Sequence, residues 1–152
     1  MAKPQLVCPA GSLAALKAAV DNGADDVYLG FRNDTNARNF AGLNFDDKAV
    51  AEGIRYAHQR GRKVLVAINT YAQAGRFADW TASVDRAAEL GVDAVIIADP
   101  AVLDYATKTH PQLRRHLSVQ ASATSYEAIN FCRDRFGIQR AVLPRVLTLA
   151  QV

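Results

Sequence analysis

The stretch VLVAINT, residues 64–70, decides the fold that the sequence predicts. It opens with five apolar residues and closes with Asn69 and Thr70. A short run that is apolar on both faces is typical of a strand covered on both sides, as in a parallel sheet. Proteins with such sheets carry their chemistry at the carboxyl ends of the strands. The stretch therefore predicts a buried parallel strand that delivers polar side chains to a functional edge.

The same plan recurs on either side of this strand. A helix end, a glycine and an apolar strand follow one another in NGADDVYLG, RGRKVLVAIN, LGVDAVIIAD and FGIQRAVLPR. Strands separated by helices of about 10–15 residues indicate right-handed parallel βαβ units. Doubly wound sheets and (β/α)₈ barrels share this pattern, but the first strand is not followed by the GxGxxG sequence of a dinucleotide-binding sheet. We therefore favour the barrel.

The predicted fold class is α/β, an incomplete TIM-type (β/α) barrel of about five and a half βα units with a parallel sheet. Residues 1–152 are interpreted as one domain, the amino-terminal portion of such a barrel. Thr148 begins a helix that the sequence does not finish. Since exposed parallel edges are normally covered, we expect either a truncated chain or a partner or second copy that completes the sheet. The predicted strands are Gln5–Cys8, Asp26–Gly30, Val64–Thr70, Ala94–Ile97, Leu117–Ala121 and Arg140–Leu143.

Composition narrows the class of protein. With 152 residues, 50% of them hydrophobic and 22% charged, the chain can form a globular core. The net charge is +3 and the basic residues are scattered, so we expect a solvated surface and no nucleic-acid site. No apolar run approaches the roughly 18 residues of a spanning helix. Two cysteines are too few for a disulfide framework, which favours the cytoplasm.

One connection is unusually long. Residues 31–45, FRNDTNARNFAGLNF, link the second predicted strand to the next helix. Ordinary βα loops have about 2–6 residues. Phe31, Phe40, Leu43 and Phe45 suggest that this loop packs onto the barrel, which favours a functional loop.

Polar side chains collect after several strands and in this loop. They are mostly amides, hydroxyls and guanidinium groups, which suit a ligand that bears carboxylates or many oxygens. No catalytic residue is assigned. The predicted substrate-binding residues are Asn36, Arg38, Asn39, Asn69, Thr70, Gln120, Ser122 and Arg145.

Some candidates have simpler interpretations. Asp99 precedes Pro100 and is interpreted as a helix cap. Gln120 and Ser122 alternate with apolar residues and should share one face of the fifth strand, either as a buried polar layer or as part of a site. Cys132 lies at core spacing on a helix. The three histidines are placed on helices or loops away from the strand ends, without metal-ligand spacing, and no metal site is predicted.

Five blocks of the sequence carry a resemblance. They are LVCPAGSLAALKAAVDNGADDVYLG, DTNARNFAGLNF, VAINTYA, SVQASATSYEAINF and AVLPRVLT. Together they resemble the amino-terminal part of the collagenase-like peptidase family U-32, and within it a member that serves ubiquinone biosynthesis. The resemblance runs through essentially the whole chain, and it implies a barrel-type fold.

The resemblance also implies a function. It points to oxygen-independent hydroxylation of the ubiquinone ring precursor, with prephenate, a small dicarboxylate, as oxygen donor. The implied partners are a UbiV-like protein and a UbiT-like lipid-binding accessory protein. Full-length relatives hold a [4Fe–4S] cluster on four cysteines beyond this region, so we expect no cofactor in this chain and little activity of this chain alone. Two alternatives stay open: a protein-interaction module without catalysis of its own, and a fragment of a collagenase-like peptidase.

Overall fold

The structure, a computed structural model, describes residues 3–152. Its core is one six-stranded sheet in which all neighbouring strands are parallel and lie in the order β1-β2-β3-β4-β5-β6. The strands are β1 Val7–Pro9, β2 Asp26–Gly30, β3 Lys63–Ile68, β4 Ala94–Ile97, β5 Arg114–Leu117 and β6 Arg140–Ala141. The helices between them are α1 Leu13–Asp21, α2 Asp47–His58, α3 Phe77–Glu89, α4 Pro100–Thr109 and α5 Tyr126–Phe136.

The strand order distinguishes the two folds that the sequence left open. A doubly wound sheet reverses its strand order at a switch point, whereas this sheet adds each new strand on the same side of the last. Right-handed crossovers then place every helix on one face. The opposite face of the sheet is left as a concave interior.

The sheet is curled. Arg140, at the start of β6, donates from Nη1 to Asp26 Oδ2 at the start of β2, over 2.9 Å. In a flat sheet these strands would lie about 19 Å apart. The side chains meet because the sheet bends round on itself, and the predicted incomplete TIM-type barrel is confirmed as a half-barrel.

The main core fills the space between the sheet and the helices. Val64, Val66 and Ile68 of β3 point to the helices and are fully buried, together with Trp80 of α3. The predicted helix cap at Asp99 is confirmed, and the side chains of Ser12, Asp46, Asp99 and Ser125 each accept a backbone N–H of the first turn. Among residues 3–152, no helix has the length and apolar character needed to cross a bilayer.

The fifth strand differs most from its prediction. The fifth strand is Arg114–Leu117 and not Leu117–Ala121, because Ser118 Oγ accepts the Gln120 N–H at 3.2 Å and starts a 3₁₀ turn at Val119–Ala121. Ser122 then takes a left-handed conformation with φ 51°. The prediction that Gln120 and Ser122 share a strand face is therefore wrong.

The chain ends also differ in detail. The first strand is Val7–Pro9, and the sixth is limited to Arg140–Ala141. The helix predicted from Thr148 is a single 3₁₀ turn, Leu149–Gln151, in which Gln151 Oε1 accepts from the Thr148 N–H at 2.8 Å.

Candidate functional site

The concave face of the half-barrel forms a cleft of about 770 Å³. Small and apolar side chains of the inner face, among them Leu65, Ala67 and Ile96, make up its middle. Arg38 and Arg140 lie at its two ends, and none of the lining residues in the described chain carries a carboxylate. The cleft therefore suits a ligand with an apolar body and negative charge.

Loop 31–45 forms one wall of this cleft, and amide side chains hold it in shape. Asn36 is buried and donates from Nδ2 to Asn44 Oδ1 at 2.9 Å. Asn44 donates in turn to the Arg38 carbonyl at 2.8 Å, and Asn36 Oδ1 accepts the Arg38 N–H at 3.1 Å. Asn44 has φ 75°, a left-handed conformation that asparagine tolerates better than most residues.

The loop rests directly on the end of β2. Gly30 is the last residue of that strand, and a Cβ built there would lie 2.0 Å from Asn36 Nδ2. Only a residue without a side chain allows Asn36 to sit against the strand. Phe31 and Phe45, at the two ends of the loop, are buried and paired by a parallel bridge.

Asn69 and Thr70, after β3, fix the same loop from the other side. Asn69 Oδ1 accepts the Ala37 N–H at 3.0 Å, and the Thr70 hydroxyl donates to the Asp34 carbonyl at 2.7 Å. Trp80 Nε1 donates to Thr70 Oγ1 at 3.1 Å. Both polar residues of the stretch that decides the fold are thus engaged in holding loop 31–45.

We call Arg38 and Phe40, two side chains of the loop, the cleft rim. Both line the cleft and are exposed, Phe40 to 61%. Their backbones are tied, since the Phe40 N–H donates to the Arg38 carbonyl at 2.9 Å. Within residues 3–152, the Arg38 guanidinium lacks a carboxylate partner, whereas Arg76 pairs with Asp34 and Asp79.

Three polar residues lie at the opposite, amino-terminal end, and we call them the cleft floor: Asp26, His116 and Arg140. Arg140 links Asp26 and Gln5, donating over 2.9 and 2.6 Å. Asp26 and His116 are almost fully buried, and within the described chain Asp26 Oδ1 and His116 Nε2 lack a hydrogen-bond partner. Burial, followed by the charges of Arg140 and Arg114, lowers the pKa of His116 to about 4, so the ring is neutral at pH 7.

The structure brings together half of the predicted site. Asn36, Arg38, Asn69 and Gln120 line the cleft. Thr70 lies behind the loop, and Asn39 lines a separate hollow of about 520 Å³ on the outer surface. Ser122 and Arg145 are exposed and do not line the cleft. The predicted role of each residue in ligand binding stays a prediction.

Sequence reasoning missed part of the cleft. His116 was predicted to lie away from the strand ends, but it is the third residue of β5 and lines the cleft. The error follows from the misplaced fifth strand, because RRHL has a single apolar residue and so lacks the apolar run expected of a buried strand. Ser118 and Arg140 were missed as well, although ordinary barrel alternation would have placed Arg140 inside.

The outer hollow is a weaker candidate for a ligand site than the cleft. Three arginines line it, but Arg76 and Arg86 are paired with carboxylates, and Arg32 donates to the Asn44 carbonyl at 3.2 Å. Since each charge has a structural partner, the hollow has little free positive charge. The cleft is the better candidate site.

The two cysteines do not form a cluster site. Cys8 of β1 packs on the core, and Cys132 lies on α5, where burial raises the pKa of its thiol. A [4Fe–4S] cluster takes four thiolates on one site. The residues of this chain therefore do not fit that cofactor, and we assign no step to it.

Comparison with known proteins places the chain in a family. The sequence pattern of Peptidase family U32 matches residues 11–152. The chain belongs to peptidase family U32. The resemblance carried by the TNARNFAGLNF and SVQASAT blocks is thus confirmed at the level of the family.

Curated relatives match over almost the whole chain. It is 38% identical over 149 residues to the tRNA hydroxylation protein P of Helicobacter pylori, covering 98% of this chain and 35% of that protein. It is 32% identical over 153 residues to the tRNA hydroxylation protein P of Escherichia coli, covering 100% and 33%. The chain spans about a third of the length of these relatives.

A solved structure supports the fold. A U32 peptidase superimposes with a TM-score of 0.72 at 18% identity, over 94% of this chain and 59% of that one. At that identity the likeness concerns the fold alone. It agrees with a curled, parallel half-barrel.

Proposed function

We propose that this chain forms the substrate-holding half-barrel of a hydroxylation protein of family U32, and that its substrate is an RNA base. The observation that carries the proposal is the cleft, whose apolar middle lies between Arg38 and Arg140 without a carboxylate in its described lining. The base would occupy the apolar part and its phosphate would pair with Arg38, since Arg140 is already paired with Asp26. The relatives named as tRNA hydroxylation proteins support this choice, and it replaces the expectation that nucleic acid is not a partner.

In this proposal the described residues bind and orient the substrate. Asn36, Asn44 and Asn69 keep loop 31–45 in one shape, so that the cleft is formed before the substrate arrives. The neutral ring of His116 adds no charge to the floor. Residues of a longer protein, outside this chain, would supply the oxidising chemistry. The reaction would take place in the cytoplasm.

The test is a gene deletion in the source organism, followed by mass spectrometry of nucleosides from its tRNA and rRNA. The proposal expects one nucleoside to lose an oxygen atom, and expects the intact gene to restore it. A gene that carries Arg38→Gln should restore it poorly, because the guanidinium that pairs with the phosphate is gone. An unchanged nucleoside profile in the deletion strain would refute the RNA substrate.

A second candidate comes from the resemblance to UbiU, the ubiquinone-biosynthesis member of the family. Here the substrate would be the ubiquinone ring precursor, prephenate would donate the oxygen, and UbiV-like and UbiT-like proteins would be partners. Arg38, which lacks a carboxylate partner within residues 3–152, would pair with one carboxylate of prephenate, whereas Arg140 is already paired with Asp26. This candidate expects the deletion strain to lose ubiquinone in the absence of oxygen while its RNA nucleosides stay unchanged.

Prephenate binding can be measured directly. Under the second candidate, prephenate should raise the melting temperature of the protein, and Arg38→Gln should remove most of that increase. Arg145 is exposed and does not line the cleft, so Arg145→Ala tests its predicted role separately. Equal protection of parent and Arg38→Gln would exclude Arg38 from the site.

A further inference from the structure

The cleft rim differs from the rest of loop 31–45 in what it exposes. Phe31 and Phe45 are fully buried anchors, but Phe40 is 61% exposed although it belongs to the same loop. An exposed aromatic ring on a mobile loop would be unremarkable. This ring sits on a loop that is held firmly, and it faces a cleft that it helps to line.

Hydrogen bonds fix the backbone on both sides of Phe40. The Arg38 carbonyl accepts from the Phe40 N–H and from Asn44 Nδ2, at 2.9 and 2.8 Å. The Leu43 N–H donates to the Phe40 carbonyl at 3.1 Å. The backbone that carries Phe40 and Arg38 is therefore held in place, and both side chains line the same cleft at little further cost in backbone entropy.

An aromatic ring and a guanidinium that lacks a carboxylate partner among residues 3–152 line one cleft, and together they match the two parts of a nucleotide. Aromatic side chains stack on bases irrespective of sequence, and arginine pairs with the phosphate. A volume of about 770 Å³ falls within the usual range of small-ligand pockets. A base can enter such a concave site only when it leaves the stack of a duplex.

We propose that Phe40 and Arg38 seat one unpaired nucleotide at the mouth of the cleft, with its base stacked on Phe40 and its phosphate on Arg38. This inference rests on the proposed RNA function and adds the form of the substrate, a single-stranded segment. It also assigns the two residues that hold it. Their role is to position the nucleotide, and neither is assigned to the chemical step.

The experiment is a fluorescence anisotropy titration of the protein with a short labelled single-stranded RNA and with the same RNA in a duplex. The parent should bind the single strand more tightly than the duplex. Phe40→Ala should weaken binding of the single strand about tenfold, and Phe40→Trp should restore it, because stacking needs an aromatic face. Arg38→Gln should lower the salt dependence of binding by about one phosphate contact, a slope change of about 0.7.

Phe131→Ala is the matched control. Phe131 is 62% exposed, almost the same as Phe40, but it lies on α5 in the outer layer and does not line the cleft. This variant should bind RNA like the parent. Equal losses in Phe40→Ala and Phe131→Ala, or no loss in Phe40→Ala, would overturn the inference.

The outcomes separate this inference from the proposed function. If deletion of the gene removes a hydroxylated nucleoside and the Phe40→Ala gene restores it as well as the parent gene, the RNA function stands and the role of Phe40 is wrong. If the parent binds neither RNA form and the nucleosides are unchanged, both are wrong. If the parent binds a free phenolic acid but neither RNA form, and Phe40→Ala weakens that binding, the nucleotide assignment is overturned in favour of a small aromatic ligand.

Discussion

The two ends of the cleft are built from different chemistry. At the carboxyl end, the neutral amides of Asn36, Asn44 and Asn69 bond one another and the backbone of loop 31–45. At the amino end, the cleft floor combines a buried carboxylate, an arginine and a neutral histidine, with two buried polar atoms unpartnered in the described chain.

This difference indicates which end of the half-barrel is more sensitive to substitution and to acid. Neutral amides keep their hydrogen bonds over a wide pH range, so the carboxyl end keeps its shape when conditions change. Buried charges depend on their partners and on protonation, and losing one partner leaves the other uncompensated. We therefore expect variants and acid to act most strongly at the cleft floor.

The largest effect should follow from removing the floor cation. Arg140→Met leaves the carboxylate of Asp26, which is 2% exposed, without its only cationic partner among residues 3–152. The free energy of unfolding at pH 7 should fall by about 3–5 kcal/mol. Urea denaturation followed by the fluorescence of the single tryptophan, the buried Trp80, measures it.

The double variant Asp26→Asn/Arg140→Met serves as the control. It removes the buried charge together with its partner, so it should recover a large part of the lost stability. If the double variant is as unstable as Arg140→Met, the loss comes from the packing of Arg140 and not from its charge.

The second largest effect should be a loss of folding stability in acid, caused by His116. Its pKa is about 4 in the folded protein and near 6.5 when exposed, so the unfolded chain binds more protons between these pH values. The stabilisation is complete above pH 6.5 and is lost as the pH falls towards 4, by about 3 kcal/mol in all. Urea denaturation at pH 7 and pH 4.5 should show most of this loss in the parent, and His116→Gln should flatten it.

A smaller effect is expected at the carboxyl end, from crowding. Gly30→Ala places a methyl group against Asn36, and the misfit should cost about 2 kcal/mol and displace loop 31–45. Gly11→Ala is the matched control in the same cleft, since its Cβ would lie 3.5 Å from Leu43, an ordinary contact. Hydrogen exchange of the loop amides should rise in Gly30→Ala alone.

The smallest effect should come from the amide network itself. Asn44→Gly removes the side-chain bonds to Asn36 and Arg38 but suits φ 75°, so unfolding should become easier by about 1 kcal/mol. Asn44→Ala adds a strained left-handed backbone and should lose about 1 kcal/mol more. Equal stabilities for the two variants would show that backbone strain contributes little at this position.

Local sequence was sufficient for much of the fold. The glycine stops, the helix caps at Ser12, Asp46, Asp99 and Ser125, and the apolar run of β3 depend on interactions within a few residues, which a sequence displays directly. The length of loop 31–45 likewise predicts a functional loop, which stays a prediction. The polar strand RRHL had no such local signal, and β5 was misplaced for that reason.

The sequence predicted less of the candidate site than of the fold. The sequence by itself determined that polar residues follow the strands and that Asn36, Arg38, Asn69 and Gln120 lie towards one edge, because parallel strands deliver their ends together. Only the tertiary structure decided which of them are occupied in holding the loop and which are free to bind. It also decided that Arg140 meets Asp26, a pair separated by 114 positions, since the curl of the sheet is a property of all six strands and of no single one.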